Sequence, residues 1–115
     1  MSTLKVDNLQ DTGGKGLFPA RAWVNFQGSG TVSIRADENV SSITDNGGGN
    51  YTVNQSSGQS DANYAATVLL GNSSGYTVPT LRSGGTHTSS TTNIASAGFD
   101  QNLYDRDTVE FTLVR

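Results

Sequence analysis

The chain of 115 residues has no cysteine, two prolines and one histidine, and only 15% of its residues are charged. Without cysteine, neither disulfides nor thiolate metal sites can stabilise the fold, so stability must come from a core, from strand pairing or from subunit contacts. The net charge is −3, and the seven Lys and Arg residues are spread along the chain. Because no basic cluster is present to contact a phosphate backbone, we expect no binding to nucleic acid.

Long hydrophobic runs are also absent from this sequence. No apolar run approaches the roughly 20 residues of a membrane span, so we expect no membrane insertion. The first residues, from Met1 to Lys5, lack the apolar core of a secretory signal peptide. We therefore expect the chain to be made in a cytoplasm and to reach any external location by another route.

Turn-forming and β-forming residues are abundant instead. Gly, Ser, Thr and Asn supply nearly half of the chain, while Val, Ile, Tyr and Phe recur throughout, which disfavours disorder. Short runs of alternating apolar residues are separated by Gly, Asn and Asp clusters, a pattern typical of antiparallel sheets. It predicts an all-β fold of about eight strands, an antiparallel β-sandwich or jelly-roll-like barrel. The predicted strands are 21–26, 31–35, 40–44, 50–54, 63–70, 77–82, 91–95 and 108–114.

The first 16 residues differ from the rest. Leu4 and Val6 alternate with polar neighbours, and a Gly-rich stretch at 11–16 then interrupts the pattern. One interpretation is an extended N-terminal attachment arm and hinge at 1–16, followed by a single β-sandwich domain at 17–115; the other is an ordinary first strand. As an arm, this segment would pair with the exposed sheet edge of a neighbouring subunit through Leu4, Val6 and Leu9.

Trp23 lies in the first predicted strand of the domain. Alternation places Ala22, Val24 and Phe26 on one face of that strand and Trp23 on the other. Trp23 is then either an anchor for a second buried face or an anchor at a subunit interface, and it is our candidate interface residue.

The run 63–70 also has apolar residues on both faces. Leu69 lies opposite Val68 and indicates a covering layer, while the small Ala65 and Ala66 permit close approach of another sheet or another copy of the chain. Farther along, Pro79 cannot donate to a strand ladder and so predicts that 77–82 is an edge strand.

We find no persuasive catalytic or metal-binding pattern. His87 lies in a polar loop, 83–90, with no apolar anchor to hold an imidazole beside a nucleophile. The loop at 45–50 lacks the bidentate glutamate and the spacing of a calcium loop, and its Asp-Asn-Gly chemistry predicts a hairpin. Arg106 stands between Asp105 and Asp107, close to Asp100, and we interpret this group as a local ion pair. We expect no enzymatic activity and no cofactor.

Several segments within the first 65 residues carry a resemblance. The strings are AWVNF at 22–26, GSGTVSIR at 28–35, VSSITDNG at 40–47, YTVN at 51–54 and DANYA at 61–65, after the leader STLKVDNLQ at 2–10. Together they resemble a module of tail-fibre and other virion structural proteins of tailed bacteriophages, especially those of marine and cyanobacterial hosts. The resemblance implies a compact β-domain, usually a homotrimer, with no catalytic residues and with other virion proteins as partners.

Two positions on the virion exterior remain open. The first is a tail-fibre-like role in adsorption to the host surface. In that role, loops 72–76, 83–90 and 97–104 would contact surface glycans, with Tyr76, His87 and Tyr104 as candidate residues. The second is capsid decoration, in which a cement protein clamps neighbouring capsid subunits, since this short chain has no shaft of repeats. A carbohydrate-binding module or carbohydrate-active enzyme is a third, less favoured reading.

Overall fold

The computed structural model describes residues 3–5, 7, 9–16, 20–71, 80–83, 87–97 and 102–115, with backbone only at 80–83. This part of the chain forms strands and turns, and it contains no helix that could cross a membrane. The eight predicted strands are confirmed in order, with boundaries shifted by up to three residues. They are β1 (Ala20–Gln27), β2 (Ser33–Glu38), β3 (Val40–Asp45), β4 (Asn50–Gln55), β5 (Ala65–Gly71), β6 (Thr80–Ser83), β7 (Thr91–Ala97) and β8 (Thr108–Val114).

The strands form two four-stranded sheets. The first sheet has the order β2-β1-β8-β5 and the second sheet the order β3-β4-β7-β6, and all the pairings are antiparallel. This arrangement confirms the predicted β-sandwich. Strand β6 ends the second sheet, as predicted for an edge strand, although Pro79 itself lies outside the described residues.

The core lies between the two sheets. Alternate residues of β1 and β8 point inward from the first sheet, and alternate residues of β4 and β7 meet them from the second. The rings of Phe26 and Tyr51 join the two layers edge to face, with centroids 5.3 Å apart. Each large apolar side chain buried here stabilises the fold by about 1.5–3 kcal/mol. The fully buried members include Ala22, Val24, Phe26, Tyr51, Val53, Val109, Phe111 and Leu113.

One long side of the sandwich is closed by a corner at Asn39. This residue alone separates β2 from β3, and its positive φ of 58° turns the chain from the first sheet into the second. Its Nδ2 donates to the carbonyls of Arg21 and Ser57 at 3.0 and 2.9 Å, and its Oδ1 accepts from the Ser57 amide at 2.8 Å. The opposite long side has β5 and β6 as its edges.

Candidate functional site on the outer face of the first sheet

Trp23 lies on the face of the first sheet that points away from the core. Its neighbours Ala22 and Val24 are buried, so the alternation of β1 directs the indole outward. The register places Trp23 between Glu38 on β2 and Thr112 on β8. The side chain is 37% exposed and does not belong to the core cluster. The described residues form no second buried face around Trp23. The interpretation of Trp23 as an anchor for such a face is therefore not supported, and its role as an interface anchor stays a prediction.

Two other apolar side chains are exposed on this face. Leu69 on β5 is 66% exposed, and Val114 on β8 is also exposed. A shallow depression of about 400 Å³ lies beside the indole, bounded by Ala20, Asn25 and Glu110 among others. The cross-strand rows define what we call the Trp23 face: Ala20, Val114 and Ala65; Trp23, Thr112 and Thr67; Asn25, Glu110 and Leu69.

A polar network borders the Trp23 face at one end. Arg35 extends from β2 and donates from Nη1 to Asn25 Oδ1 at 3.2 Å and to Thr108 Oγ1 at 3.1 Å, and from Nη2 to the Asp107 carbonyl at 2.7 Å. Asn25 in turn donates to Glu110 Oε1 at 3.2 Å. The face therefore combines exposed apolar side chains with a hydrogen-bonded border, as protein interfaces do. It offers a binding surface, on which Glu38 lies opposite Trp23 and Glu110 lies opposite Asn25.

A second group of polar residues is buried at one end of the sandwich, and its hydrogen bonds stabilise the fold. The Tyr51 hydroxyl lies 2.8 Å from the Gly28 carbonyl and 3.0 Å from Asp105 Oδ1, and it shares its proton between them. Asp105 Oδ1 also accepts from the Gly49 amide at 2.8 Å. Burial, together with the hydrogen bond to Asp105, raises the pKa of Tyr51 above its usual value. The phenol therefore stays neutral and holds three segments together.

Arg106, beside this group, is 1% exposed. Its Nε donates to Ser96 Oγ at 2.9 Å and its Nη2 to the Ala97 carbonyl at 3.1 Å. Sequence reasoning interpreted Arg106 as a local ion pair and did not foresee its burial, because the surrounding residues are polar and carry no periodic apolar pattern. Asp107 accepts from Ser29 Oγ at 2.8 Å, while Asp100 lies outside the described residues. Within the described ranges, no three His, Asp or Glu side chains could hold a metal ion together.

The N-terminal segment exposes its leucines. Leu4 is 83% exposed and Leu9 is 47% exposed, while Val6 lies outside the described residues. A closed turn follows, in which Asp11 Oδ1 accepts from the amides of Gly13 and Lys15 at 2.9 and 3.0 Å. An isolated bridge between Gln10 and Gly16 fastens the base of this turn.

The three candidate glycan-binding residues do not come together. Tyr76 lies outside the described residues. His87 is exposed just before β7, with its ring 5.6 Å from that of Tyr64. Tyr104 lies at the other end of β7, where its amide donates to the Ser96 carbonyl at 2.9 Å and its ring lies 5.9 Å from the Arg106 guanidinium. The five strand positions from Thr91 to Ser96 correspond to about 17 Å, so His87 and Tyr104 are at opposite ends of the sandwich.

A scan against protein-family models finds no match, and searches of curated proteins and of solved structures find none either.

Proposed function

We propose that this chain is a non-enzymatic structural subunit on the exterior of a tailed-phage virion, tail-fibre-like, and active in adsorption to the host surface. Its support is the resemblance of the segments within residues 2–65 together with one structural observation, the Trp23 face. In this proposal the subunit works as a homo-oligomer, a homotrimer as the resemblance implies, and its partners are further copies and other virion proteins.

The Trp23 face supports an assembly role for a physical reason. Its Trp, Leu and Val side chains expose apolar area on a flat sheet, and burying that area against another subunit removes it from water. Trp is enriched at the centres of protein interfaces because a rigid aromatic ring buries much area at low entropic cost. The network of Arg35, Asn25 and Glu110 would then form the solvated rim of the contact.

The exposed leucines of the N-terminal segment support attachment to a neighbour. Burying Leu4 or Leu9 on another protein would contribute about 1.5–3 kcal/mol each. The contact made by a single arm is therefore weak. A homo-oligomer presents one arm per copy, and the contacts reinforce one another through their high effective concentration.

Capsid decoration is the second candidate, and the positions of His87 and Tyr104 favour it over glycan recognition by these two residues together. His87 and Tyr104 lie at opposite ends of β7 and cannot contact one sugar unit together. A decoration protein needs no such convergence. It needs one compact domain and an arm that reaches a neighbouring capsid subunit.

A symmetry-averaged cryo-EM map of the intact particle that carries this protein tests both candidates. Density for the chain at the tail or at the fibre tips is the expected result. Density on the capsid shell would establish the decoration role instead. Particles that lack the chain altogether, as judged by mass spectrometry of purified virions, would contradict the virion assignment itself.

A further inference from the structure

Among the residues that the structure describes, strand β5 is an edge strand without the usual protection against pairing. Its seven residues, AATVLLG, include no charge and no proline, and they pair with β8 in seven consecutive positions without a bulge. Natural proteins normally shorten, charge, bend or cover such edges, because the free N–H and C=O groups pair readily with another strand.

The other three edge strands have these protections. Strand β6 has four residues, includes Arg82 and follows Pro79. Strand β3 ends at Asp45 and has a register shift between Val40 and Ser42. Strand β2 carries Arg35, Asp37 and Glu38, and its pairing with β1 is also shifted in register. The absence of protection is therefore specific to the β5 edge and is not a general property of this sandwich.

The side chains of β5 are exposed or only partly covered. None of its residues is buried, although the strand is among the most apolar in the chain. Ala66, which points toward the core side, is exposed, and Val68 and Leu70 are only partly covered. Leu69, on the outer face, is 66% exposed. The side of the sandwich opposite the Asn39 corner thus presents an uncharged apolar strand to its surroundings.

We infer that β5 pairs antiparallel with β5 of a second copy of this chain, about a two-fold axis at Val68, so that the two first sheets form one sheet of eight strands. This register places Val68 opposite Val68, Ala66 opposite Leu70 and Thr67 opposite Leu69. Ala66 and Thr67 each meet a leucine in this register, so a smaller side chain packs beside a larger one on the same face.

The composition of β5 explains why the occupant is its own copy. An isologous contact brings each residue near its own counterpart, so a charged strand would repel itself. Strand β5 has no charge to repel. The N-terminal segment is a less suitable partner, because Lys5 and Asp7 alternate within it and would lie beside the apolar outer residues.

This contact goes beyond the proposed function. It uses the backbone edge of β5, although the outer residues Ala65, Thr67 and Leu69 of that strand also belong to the Trp23 face. The homotrimer implied by the resemblance concerns the Trp23 face, whereas the β5 edge joins copies two at a time. The two contacts can coexist in one particle, where β5 would link a subunit of one trimer to a subunit of another.

The absence of cysteine allows a direct test by cross-linking. In the variant Val68→Cys of the full chain, antiparallel pairing places the two Cα atoms about 4.5–5.5 Å apart, within the range for a disulfide. We expect mild oxidation with diamide to yield a covalent two-chain species on a non-reducing gel. The matched control is Ser42→Cys, an exposed position on edge strand β3, which should give little of it. Equal yields from the two variants would overturn the inference.

A second variant tests the same contact without a covalent bond. Ala66→Lys adds a charge at an exposed position of β5 that does not belong to the Trp23 face, and the charge enters the two-fold contact twice. We expect sedimentation equilibrium to show a rise of roughly tenfold or more in the dissociation constant of the pair. Ser41→Lys on β3 should leave it unchanged. An unaltered constant for Ala66→Lys, or a wild-type chain that sediments as a monomer at high micromolar concentration, would overturn the inference and leave the virion assignment standing.

An N-terminal segment seated on the β5 edge would give a different result. It would keep the two Val68 positions apart, so Val68→Cys would not cross-link in the full chain and would begin to do so after deletion of residues 2–12. That outcome would overturn pairing of β5 with β5.

Discussion

The hydroxyl of Tyr51 on β4 lies 3.0 Å from the carboxylate of Asp105, which precedes β8 by three residues. Asp105 also accepts a hydrogen bond from the Gly49 amide, and the Tyr51 hydroxyl also donates to the Gly28 carbonyl. This one contact joins segments from both sheets at the end of the sandwich.

Replacing Tyr51 with Phe should therefore destabilise the domain without changing its shape. The variant keeps the ring contact with Phe26 but removes the hydroxyl that donates to the Gly28 carbonyl and to Asp105, at a cost of about 1–3 kcal/mol. Urea unfolding followed by tryptophan fluorescence measures the loss. Thr112→Val, on the exposed face of β8, should change the free energy of unfolding by less than about 0.5 kcal/mol. Equal effects from the two variants would contradict the role of the Tyr51 hydroxyl.

The raised pKa of Tyr51 predicts a pH dependence at the alkaline end. Below about pH 10 the phenol is neutral in both the folded and unfolded states, so its contribution to stability is fully present. Above that pH the unfolded tyrosine loses its proton while the folded one keeps it, so stability falls as pH rises. The free energy of unfolding at pH 9, 10 and 11 should decline more steeply for the wild type than for Tyr51→Phe. Parallel curves would contradict the assignment.

Gly49 should tolerate no side chain. It has a φ of +71°, and a Cβ at this position would lie 2.5 Å from the Tyr104 amide nitrogen and 2.7 Å from the Tyr104 carbonyl oxygen. We expect Gly49→Ala to cost about 3 kcal/mol or more, because strain and backbone overlap add together. The adjacent Gly48 has no atom within 4 Å of such a Cβ, so Gly48→Ala is a matched control with little effect in the same thermal melt. A stable Gly49→Ala variant would show that the Tyr104 segment can move.

The Trp23 face predicts a variant that separates folding from assembly. Trp23→Ala removes an indole that is already 37% exposed, so the far-UV circular dichroism should remain that of the wild type. The mass measured by light scattering should fall below that of the trimer, to no more than that of a pair joined through β5, because the centre of the proposed trimer interface is lost. Thr44→Ala, on the outer side of the second sheet, should leave the mass unchanged. A trimer that survives Trp23→Ala would place the trimer interface elsewhere.

The N-terminal segment predicts a defect in the particle and none in the domain. Deleting residues 2–12 should release the protein from virions while the thermal transition of the remaining chain is retained, because Leu4 and Leu9 are exposed and contribute little to the core. Mass spectrometry of purified particles measures incorporation. Replacing Leu4 and Leu9 with Ser in the full-length chain should produce the same loss. Normal incorporation of the truncated chain would refute the attachment role.

Strand positions were predictable where alternation was regular and turns were marked. The run 108–114 was predicted with the same bounds as β8, since Val109, Phe111 and Leu113 alternate with polar residues. Strand β2 was predicted at 31–35 but extends from Ser33 to Glu38. Its charged end resembles a turn in the sequence, yet an edge strand with solvent on one side accommodates charges. The fifth and sixth strands also begin later than predicted, at Ala65 and Thr80.

The sequence by itself determined the all-β class, the order of the eight strands and which side chains alternate toward the core, because each follows from neighbours a few residues away. Only the tertiary structure decided the pairing of β1 with β8, the burial of Arg106 and the contact between Tyr51 and Asp105. These depend on residues more than 50 positions apart or on polar segments without a periodic pattern. The edge position of β5 also depends on the tertiary structure, because it follows from the order of the strands in the sheet.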